Sequence, residues 1–314
     1  MTLGLLEGKE MDVAIIGAGP AGLSAALYAG RARLSTVVLE QGMVGGLAAT
    51  THWIGNYPGF PEAISGQDLM QRMEEQARRF KVEFVFTPVS GVSKDSERRF
   101  KVDTGEGELL AKTAIIATGS VRRRLGVPGE DKLQGLGVSY CATCDGPFFR
   151  DKHVLIVGGG DTAIVEAMFL TRFAKHVSVI HRRGELRATK VLQEAALRHP
   201  KIQFFWHSQV TEIVGENNVQ GAVLKDARTG ETKLVEADGI FIAVGIRPSS
   251  EFVKDMVETD ERGYILTDDR MRTSTPGLFA AGDVRAKSLR QVVTAVSDGA
   301  IAATEADKYM SELQ

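Results

Sequence analysis

The run Asp12-Val13-Ala14-Ile15-Ile16-Gly17-Ala18-Gly19-Pro20-Ala21-Gly22 decides the fold of this chain. The apolar, largely β-branched residues after Asp12 predict a buried parallel strand. The strand leads directly into the pattern G-x-G-x-x-G, whose glycines let a dinucleotide pyrophosphate approach backbone N–H groups at the start of a helix. This pattern alone is weak evidence, because a glycine-rich turn in another α/β unit can have the same sequence.

The residues that follow this run supply the missing context. Small residues at Ala25, Ala26 and Ala29 suit a helix packed closely on the strand, and Thr36–Leu39 is predicted to be a second strand. Glu40 ends that strand, at a place where a carboxylate can accept hydrogen bonds from ribose hydroxyls. Strand, glycines, helix, strand and terminal acid in this order predict a dinucleotide-binding unit.

The second half of the chain repeats this plan. The apolar run His153–Val157 leads into Gly158-Gly159-Gly160-Asp161-Thr162-Ala163, which matches G-x-G-x-x-A, and a helix and a strand are expected to follow. At the offset where the first unit has Glu40, this unit has His181-Arg182-Arg183, with Arg187 close behind. Guanidinium groups bind a 2′-phosphate bidentately whereas a carboxylate would repel it, so the second nucleotide is predicted to be NADP(H). A solvated basic turn is the alternative interpretation.

The only two cysteines of the 314 residues form a single Cys-x-x-Cys motif, Cys141-Ala142-Thr143-Cys144. Two thiols at this spacing can close into a disulfide and reopen, so a redox dithiol is the first interpretation. A structural zinc site needs four ligands, and neither a second pair nor a suitable histidine pair is present. Two buried cysteines that happen to be neighbours remain an alternative. Asp145 is a candidate acid/base for the thiols, or a simple turn carboxylate.

Several further stretches carry expectations about local structure. Gly42–Leu47 is too rich in glycine for a regular element and, with Trp53 and Asn56–Gly59, suits contact with a flat ring, although a plain surface loop is equally compatible. Small sheets are expected from the strands Val82–Val89 and Arg99–Val102, and from Phe204–Val214, Ala222–Asp226 and Lys233–Glu236. Buried strands ending in glycine turns are expected at Ala114–Gly119 and Gly239–Gly245.

The last segment has no third fingerprint. Gly277–Asp283 reads as a strand ending in a Gly-Asp pair, and Leu289–Tyr309 is predicted to be a long alanine-rich helix. An aspartate at the end of a strand beside a helix N-terminus can bind a ribityl or ribose hydroxyl. We expect this segment to complete the first domain, which leaves the second domain inserted.

Length and composition limit the functional classes. A chain of 314 residues is expected to form two domains, and a net charge of -2 with a pI near 6.3 gives no basic surface for nucleic acid. No apolar run approaches the length of a membrane-spanning helix, so no membrane partner is predicted. We expect a cytoplasmic protein, because a reducing compartment suits a dithiol that must cycle.

Taken together, these motifs resemble the bacterial-type low-molecular-weight thioredoxin reductases, of the class II pyridine nucleotide-disulfide oxidoreductases. The match runs over nearly the whole chain and is most specific at Cys141–Gly146, at the arginines after His181 and at Thr275–Asp283. The resemblance implies an α/β fold with two Rossmann-like dinucleotide-binding domains, the NADP(H) domain being inserted in the FAD domain. The implied domains are residues 1–122 and 247–314 for FAD and residues 123–246 for NADP(H) and the redox pair.

The resemblance also implies site residues. For FAD they are Gly17, Gly19, Pro20, Ala21, Gly22, Glu40, Gly46, Leu47, Asn56, Thr118, Gly119, Gly282 and Asp283, with Arg290 and Gln291 at the flavin end of the last helix. For NADPH they are Gly158, Gly160, Asp161, Thr162, Ala163, His181, Arg182, Arg183 and Arg187, and the catalytic set is Cys141, Cys144 and Asp145, with no metal. Leu47 and Val165 depart from the family, which often has Gln and Glu there; this puts flavin tuning and nucleotide affinity in question.

The implied activity is electron transfer from NADPH to FAD, then to the Cys141–Cys144 pair, and finally to thioredoxin or a thioredoxin-like protein. Cys144 is expected on the flavin side and Cys141 on the exchange side, in a homodimer whose domains rotate about residues 122–125 and 245–248. The alternatives are the flavoprotein of a peroxide-reducing system, a ferredoxin-type flavin reductase and a redox sensor. Only Met1–Met11 precede the first strand, which disfavours the first alternative; residues 311–314 contain no redox pair, so the short form is expected.

Overall fold

The computed structural model describes residues 5–51 and 54–312. The chain divides into two compact units, Met1–Val121 with Arg247–Gln314 and, between them in sequence, Arg122–Ile246. Trp53, which the sequence suggested as a ring contact, lies outside the described residues. In the part of the chain that is described, no helix is both long enough and apolar enough to cross a membrane.

The first unit is built on one seven-stranded sheet. Its elements up to the second unit are β1 Lys9–Ile16, α1 Pro20–Arg31, β2 Thr36–Glu40, α2 Gly46–Ala49, α3 Gly66–Arg78, β3 Glu83–Phe86, β4 Val89–Lys94, β5 Phe100–Thr104, β6 Gly107–Ile116 and β7 Ser120–Arg122. Strands β1, β2, β3 and β6 run parallel, as the fingerprint predicts, while β4 and β5 add antiparallel strands at one edge.

The second unit has a five-stranded parallel sheet and a separate three-stranded antiparallel sheet. Its elements are β8 Val138–Ser139, α4 Ala142–Asp145, β9 His153–Val157, α5 Asp161–Leu170, β10 His176–Ile180, α6 Lys190–Arg198, β11 Ile202–Phe205, β12 Ser208–Gly215, β13 Val219–Asp226, β14 Thr232–Glu236 and β15 Gly239–Ile242, and the chain leaves it through β16 Ile246–Pro248, of which only Ile246 belongs to this unit. The parallel sheet has the order β11-β10-β9-β15-β8, and the smaller sheet has the order β12-β13-β14.

The returning segment completes the first sheet with β17 Leu278–Ala280 and then forms the long helix α7 Val292–Glu312. Strand β6 is long enough to have two neighbours on one side. Its first half pairs with β5 and its second half, from Ala114 to Ile116, pairs in parallel with β17. The chain after the second unit therefore belongs to the first sheet, as the missing third fingerprint suggested.

Two expectations about strands were wrong. Val82–Val89 does not belong to a small sheet, because the crossover through α3 returns β3 to pair in parallel with β2 in the main sheet. Phe204 likewise lies in β11 at the edge of the parallel sheet, and only the later strands form the small antiparallel one. A third correction concerns Gly46, which begins the short helix α2 where a loop was expected.

The core follows the alternation of side chains along the strands. In β1, Val13 and Ile15 pack in a cluster with alanines of α1 and α7, whereas Ala14 and Ile16 pack in a second cluster on the opposite face. Helix α7 lies against α1 so closely that a Cβ on Gly299 would come within 2.0 Å of the carbonyl oxygen of Ala21. Both helices are thus fixed on the face of the sheet where the fingerprint loop lies.

Candidate functional site

Cys141 and Cys144 form a disulfide at the start of α4, with their Cα atoms 5.3 Å apart. Cys141 has extended backbone and caps the short helix, and its carbonyl oxygen accepts hydrogen bonds from the N–H groups of Cys144 and Asp145. Ala142 is buried in the core of the second unit, which anchors the motif, while both cysteines stay partly exposed. The alternative of two buried neighbouring cysteines is therefore wrong.

A hydrogen-bonded pair of side chains lies beside the disulfide. The hydroxyl of Ser139 donates to Oδ2 of Asp145 at 2.6 Å, and the same hydroxyl oxygen accepts the N–H of Cys141 at 3.1 Å. Ser139 is buried and Asp145 is partly exposed. Ser139 thus connects Asp145, the acid/base candidate from the sequence, to the backbone of the redox pair. No sequence motif indicated this role for Ser139.

A second polar cluster surrounds Tyr140, the residue before the disulfide. Its hydroxyl donates to Oε1 of the buried Glu130 at 2.7 Å, and the Arg122 guanidinium lies 5.2 Å from the centre of its ring. Burial, together with the hydrogen bond to Glu130, raises the pKa of Tyr140. The phenol therefore stays protonated and acts as a donor to Glu130.

Glu166, on α5, is the one strongly perturbed carboxyl of this unit among the described residues. Burial raises the pKa of Glu166 to about 7, and the positive charge of Arg122 opposes this rise only in part. Its Oε2 is buried and has no hydrogen-bond partner in the part of the chain that the structure describes. No motif marked this residue in the sequence, since its environment comes from the packing of α5.

The first fingerprint loop leaves open space at the N-terminus of α1. Gly19 caps the helix without a side-chain hydrogen bond, Pro20 follows, and a Cβ on Gly19 would meet no described atom within 4 Å. A Cβ on Gly22 would instead lie 1.8 Å from the carbonyl oxygen of Gly17, so the helix must pack closely on the strand end. Free backbone N–H groups beside open space fit a pyrophosphate.

The Glu40 carboxylate connects the fingerprint loop to the loop after β2, beside the open space at the start of α1. Its Oε2 accepts the N–H of Ala18 at 2.8 Å and its Oε1 accepts the N–H of Gly42 at 2.9 Å. Each carboxylate oxygen has a further lone pair, so these bonds leave room for a ribose hydroxyl. The start of α2 lies close to this loop, since a Cβ on Gly46 would be 3.6 Å from the Cα of Gly19. The next residue, Leu47, is exposed.

The other residues expected at FAD all belong to the first unit. Asn56 donates through Nδ2 to Oε1 of Gln291 at 3.0 Å, and Thr118 donates through Oγ1 to the carbonyl oxygen of Ser249 at 2.6 Å. Asp283 lies in the 3-10 turn Gly282–Val284, and Gly119 has a positive φ of 66° and open space around its Cβ position.

Arg290 and Gln291 precede α7 and do not lie within it, because the helix begins at Val292. The guanidinium of Arg290 stacks 4.0 Å from the ring centre of Tyr264, where burial raises the pKa of the tyrosine. Its Nε is buried and unpartnered within residues 5–51 and 54–312. A buried donor without an acceptor fits a group that binds a ligand.

The second fingerprint has the same features. Gly160 caps α5 with no side-chain bond, and no described atom lies within 4 Å of its Cβ position. Asp161 and Thr162 begin the helix in exposed positions and Ala163 is buried beneath Gly158. Asp161 also accepts the N–H of Thr189 through Oδ1 at 2.7 Å, which ties the helix start to the loop after β10.

That loop carries the arginines and is fastened to the fingerprint. The N–H of Arg187 donates to the carbonyl oxygen of Gly159 at 2.7 Å. Arg182, Arg183 and Arg187 are exposed, and in the described part of the chain none of them forms an ion pair. Three unpaired guanidinium groups next to an open helix N-terminus fit a nucleotide with an extra phosphate.

His181 differs from its arginine neighbours because it is only 5% exposed. A Cβ on Gly159 would lie 2.2 Å from its ring, and the ring centre of Trp206 lies 6.4 Å away with the two rings nearly perpendicular. Burial lowers the pKa of His181, as do the charges of Arg187, Arg183 and Arg182, so the ring is neutral near pH 7. The imidazole is therefore positioned to support the glycine loop and not to add positive charge.

Comparison with known proteins decides between the alternatives. Residues 11–299 match the family described as pyridine nucleotide-disulphide oxidoreductase. Over 306 residues the chain is 51% identical to a thioredoxin reductase of Peptoclostridium acidaminophilum, covering 95% of this chain and 96% of that one. It is 48% identical to a thioredoxin reductase of Bacillus subtilis, covering 98% and 97% of the two chains. The structure of thioredoxin reductase from Streptococcus pyogenes superposes with a TM-score of 0.93 at 47% identity, covering 98% and 100%.

This chain belongs to the thioredoxin reductases. The enzyme passes electrons from NADPH to FAD, from FAD to the Cys141–Cys144 disulfide, and from there to the disulfide of thioredoxin or a thioredoxin-like protein. The expected activity, cofactors and fold class are thereby confirmed. The three alternatives, a peroxide-system flavoprotein, a ferredoxin-type reductase and a redox sensor, are not supported.

Proposed function

We propose that Met1–Val121 with Arg247–Gln314 binds FAD, and that Arg122–Ile246 binds NADPH and carries the disulfide. The observation that carries this assignment is an open helix N-terminus in each unit, at Gly19 and at Gly160, accompanied by Glu40 in the first unit and by exposed arginines in the second. Such a terminus presents backbone N–H groups and the positive end of the helix dipole to a pyrophosphate.

In the first unit the dinucleotide is held by residues with distinct tasks. The N–H groups at the start of α1 bind the pyrophosphate, and Glu40 accepts a ribose hydroxyl through a carboxylate already oriented by Ala18 and Gly42. Asp283, in the 3-10 turn, would bind a hydroxyl of the ribityl chain, and the hydrogen-bonded Asn56 and Gln291 would contact the flavin end of the cofactor. When bound, FAD supplies the hydride chemistry that no side chain can perform.

In the second unit the arginines select the nucleotide. Arg182, Arg183 and Arg187 donate to the 2′-phosphate of NADPH, which has no counterpart in NADH. The bond from the N–H of Arg187 to Gly159 holds them at a fixed place relative to the fingerprint loop. Exposure of the arginines to solvent limits each contact, so the preference comes from several contacts together.

Thiol exchange then follows from the local geometry of the motif. The N–H of Cys144 donates to Sγ of Cys141 at 3.2 Å, an arrangement that favours negative charge on that sulfur after reduction. The Cys141 thiolate attacks a sulfur of the thioredoxin disulfide, forming a mixed disulfide and releasing one thioredoxin thiolate. Cys144 then attacks Cys141, which restores the enzyme disulfide and releases reduced thioredoxin. Asp145, held by Ser139, exchanges the protons that these thiols gain and lose.

Two substitutions test the cofactor assignment. A Cβ at Gly19 or at Gly160 would meet no described atom within 4 Å, so a valine there would extend into the open space. Gly19→Val should abolish FAD binding, whereas Gly160→Val should retain the bound flavin and its absorbance but lose reduction by NADPH. Loss of flavin in both variants, or in neither, would refute the assignment.

The sulfur roles have their own test. Cys144→Ser should trap a mixed disulfide with thioredoxin through Cys141, visible on a non-reducing gel, whereas Cys141→Ser should not. The opposite pattern would reverse the two roles. The expected domain rotation about residues 122–125 and 245–248 stays a prediction, and a crosslink that prevents rotation without slowing turnover would contradict it.

We also propose a homodimer in the cytoplasm. A dithiol that must be repeatedly reduced works in a reducing compartment, and thioredoxin as partner is consistent with that. Sedimentation equilibrium should give a mass near twice the chain mass of 34.0 kDa. A mass equal to that of one chain, at micromolar concentration and with FAD bound, would contradict the dimer.

A further inference from the structure

Asp298, on α7, is a charged residue that no motif of the sequence marked, and it is only 6% exposed. Its Oδ2 accepts the backbone N–H of Gly282 at 3.0 Å and the ammonium of Lys287 at 2.7 Å. Its Oδ1 accepts Nη1 of Arg285 at 3.1 Å. The side chains of Arg285 and Lys287 are themselves only 12% and 10% exposed, so three charges lie together almost out of water.

This group of charges lies where α7 meets the fingerprint helix. Gly299, the next residue, packs against Ala21 so tightly that its Cβ would lie 2.0 Å from the Ala21 carbonyl oxygen. A Cβ on Gly282 would lie 2.8 Å from the Cβ of Ala21. The carboxylate of Asp298 therefore fastens the Gly282 turn against the first turn of α1, at the N-terminus that faces the open space.

The same group extends to Arg290. Arg285 is held from two sides, by Asp298 and by a hydrogen bond from its Nε to Oγ1 of Thr267 at 2.8 Å. Its carbonyl oxygen accepts a long hydrogen bond of 3.4 Å from Nη2 of Arg290. The position of Arg290, whose Nε is buried without a described partner, thus depends on Arg285.

A gain in stability does not by itself explain why these three charges are buried. Removing charged groups from water is energetically costly, and a buried ion pair is often no more stabilising than apolar residues of the same volume. What such a group does provide is one fixed geometry, because each charge must keep its partners. Here the buried charges fix the conformation of the chain segment that follows β17 and contains Asp283 and Arg290.

We propose that Asp298 is a positioning residue for FAD. Its hydrogen bond with Gly282 fixes the position of the neighbouring Asp283 relative to α1. Its ion pair with Arg285 fixes the position of Arg290, which hydrogen-bonds to the Arg285 carbonyl oxygen. It touches no cofactor atom itself and acts through these two residues. The inference rests on the proposed function, since it assumes that Asp283 and Arg290 face FAD.

Glu305 provides a matched control on the same helix. It is 5% exposed, its Oε2 pairs with Nη2 of Arg272 at 2.7 Å, and its Oε1 pairs with Nζ of Lys308 at 2.7 Å. It is two helical turns beyond Asp298, about 10 Å along the axis. Its ionic partners in the described part of the chain are Arg270, Arg272 and Lys308, none of which is proposed to bind FAD, so Glu305→Gln removes an equally buried charge away from the site.

The test compares full-length Asp298→Asn and Glu305→Gln with the unmodified enzyme. Both variants should melt at lower temperature. FAD release, followed by the rise of flavin fluorescence on dilution, should show that Asp298→Asn binds FAD roughly ten- to hundredfold more weakly, the range expected when a displaced Asp283 or Arg290 loses one charge-assisted hydrogen bond to FAD. Glu305→Gln should bind FAD within about twofold of the unmodified enzyme, a change too small to reflect a lost hydrogen bond.

A spectroscopic measurement separates positioning from a general loss of stability. The visible absorption and circular dichroism of the remaining bound flavin should change in Asp298→Asn and not in Glu305→Gln. Equal FAD affinity and an unchanged flavin spectrum in a folded Asp298→Asn variant would overturn the proposal, as would equal effects in both variants.

Two more variants keep the outcomes distinct. Asp283→Asn tests the proposed FAD ligand directly. If this variant binds FAD as tightly as the unmodified enzyme, the proposed function fails at this residue. If Asp283→Asn lowers FAD affinity and Asp298→Asn does not, only the inference about Asp298 fails. Should Asp298→Asn not fold, Lys287→Met removes a cation from the oxygen that also holds Gly282. It should weaken FAD severalfold, and a folded Lys287→Met with unchanged FAD affinity would contradict the proposal.

Discussion

Replacing Glu166 by glutamine is expected to change how the stability of the enzyme depends on pH. Burial raises the pKa of Glu166 to about 7, from 4.5 for an unperturbed glutamate. The folded chain therefore keeps a proton on this carboxyl between about pH 4.5 and 7, where the unfolded chain has already lost it. A state that binds more protons is favoured at low pH, so this group lowers the stability of the fold as pH rises through that window.

The size of the effect follows from the two pKa values. Each pH unit of difference corresponds to about 1.4 kcal/mol, so the full loss at pH 8 is of the order of 3 kcal/mol. Glutamine cannot ionise and has nearly the same volume, so Glu166→Gln should escape this loss. The advantage of the variant in free energy of unfolding should grow by about 2.5 kcal/mol between pH 5 and pH 8.

Urea unfolding of both proteins at several pH values between 5 and 8, followed by circular dichroism, measures this difference. Glu305→Gln serves as a control of opposite sign, because its ion pairs with Lys308 and Arg272 lower the pKa of Glu305. That variant should lose most stability at high pH and least at low pH, where the native carboxyl is protonated. A Glu166→Gln variant whose advantage does not grow from pH 5 to pH 8 would refute the account of this buried carboxyl.

Three further experiments test the nucleotide and disulfide sites. Arg182→Ala combined with Arg183→Ala should raise the KM for NADPH roughly ten- to hundredfold and leave that for NADH nearly unchanged, since only NADPH has a 2′-phosphate; equal changes for both nucleotides would argue against this role. Gly159→Ala should abolish flavin reduction by NADPH while FAD stays bound, because the new methyl group meets the His181 ring; normal reduction would show that the loop can move aside. Ser139→Ala should slow thioredoxin reduction severalfold through loss of its bond to Asp145, with Ser139→Thr restoring the rate; an unchanged rate in the alanine variant would remove the serine from the mechanism.

The sequence was sufficient wherever chemistry requires a local pattern. Both helix N-termini and the redox pair are marked by residues adjacent in the chain. In the structure Gly19 and Gly160 are the N-cap residues of helices that follow the strands predicted for them, and neither helix has a side-chain cap. The position of Arg187 next to Gly159 also follows from the order of elements in a nucleotide-binding unit.

The rest depends on contacts between residues far apart in the chain. The pairing of β3 with β2 follows from a crossover and not from the residues of β3. Ser139 gains its importance from the fold of the short helix that returns Asp145 to it. Asp298 belongs to an ordinary helix sequence, and only packing against Gly282 and two cations makes it a buried charge centre.

The central claim is that electrons reach thioredoxin only through the Cys141–Cys144 disulfide. The most direct measurement mixes Cys144→Ser enzyme with NADPH and oxidised thioredoxin without oxygen, and follows flavin absorbance and thioredoxin thiols together. We expect the flavin to be reduced at a rate comparable to that of the unmodified enzyme while thioredoxin thiols do not appear catalytically. Catalytic reduction of thioredoxin at the unmodified rate by this variant would contradict the claim.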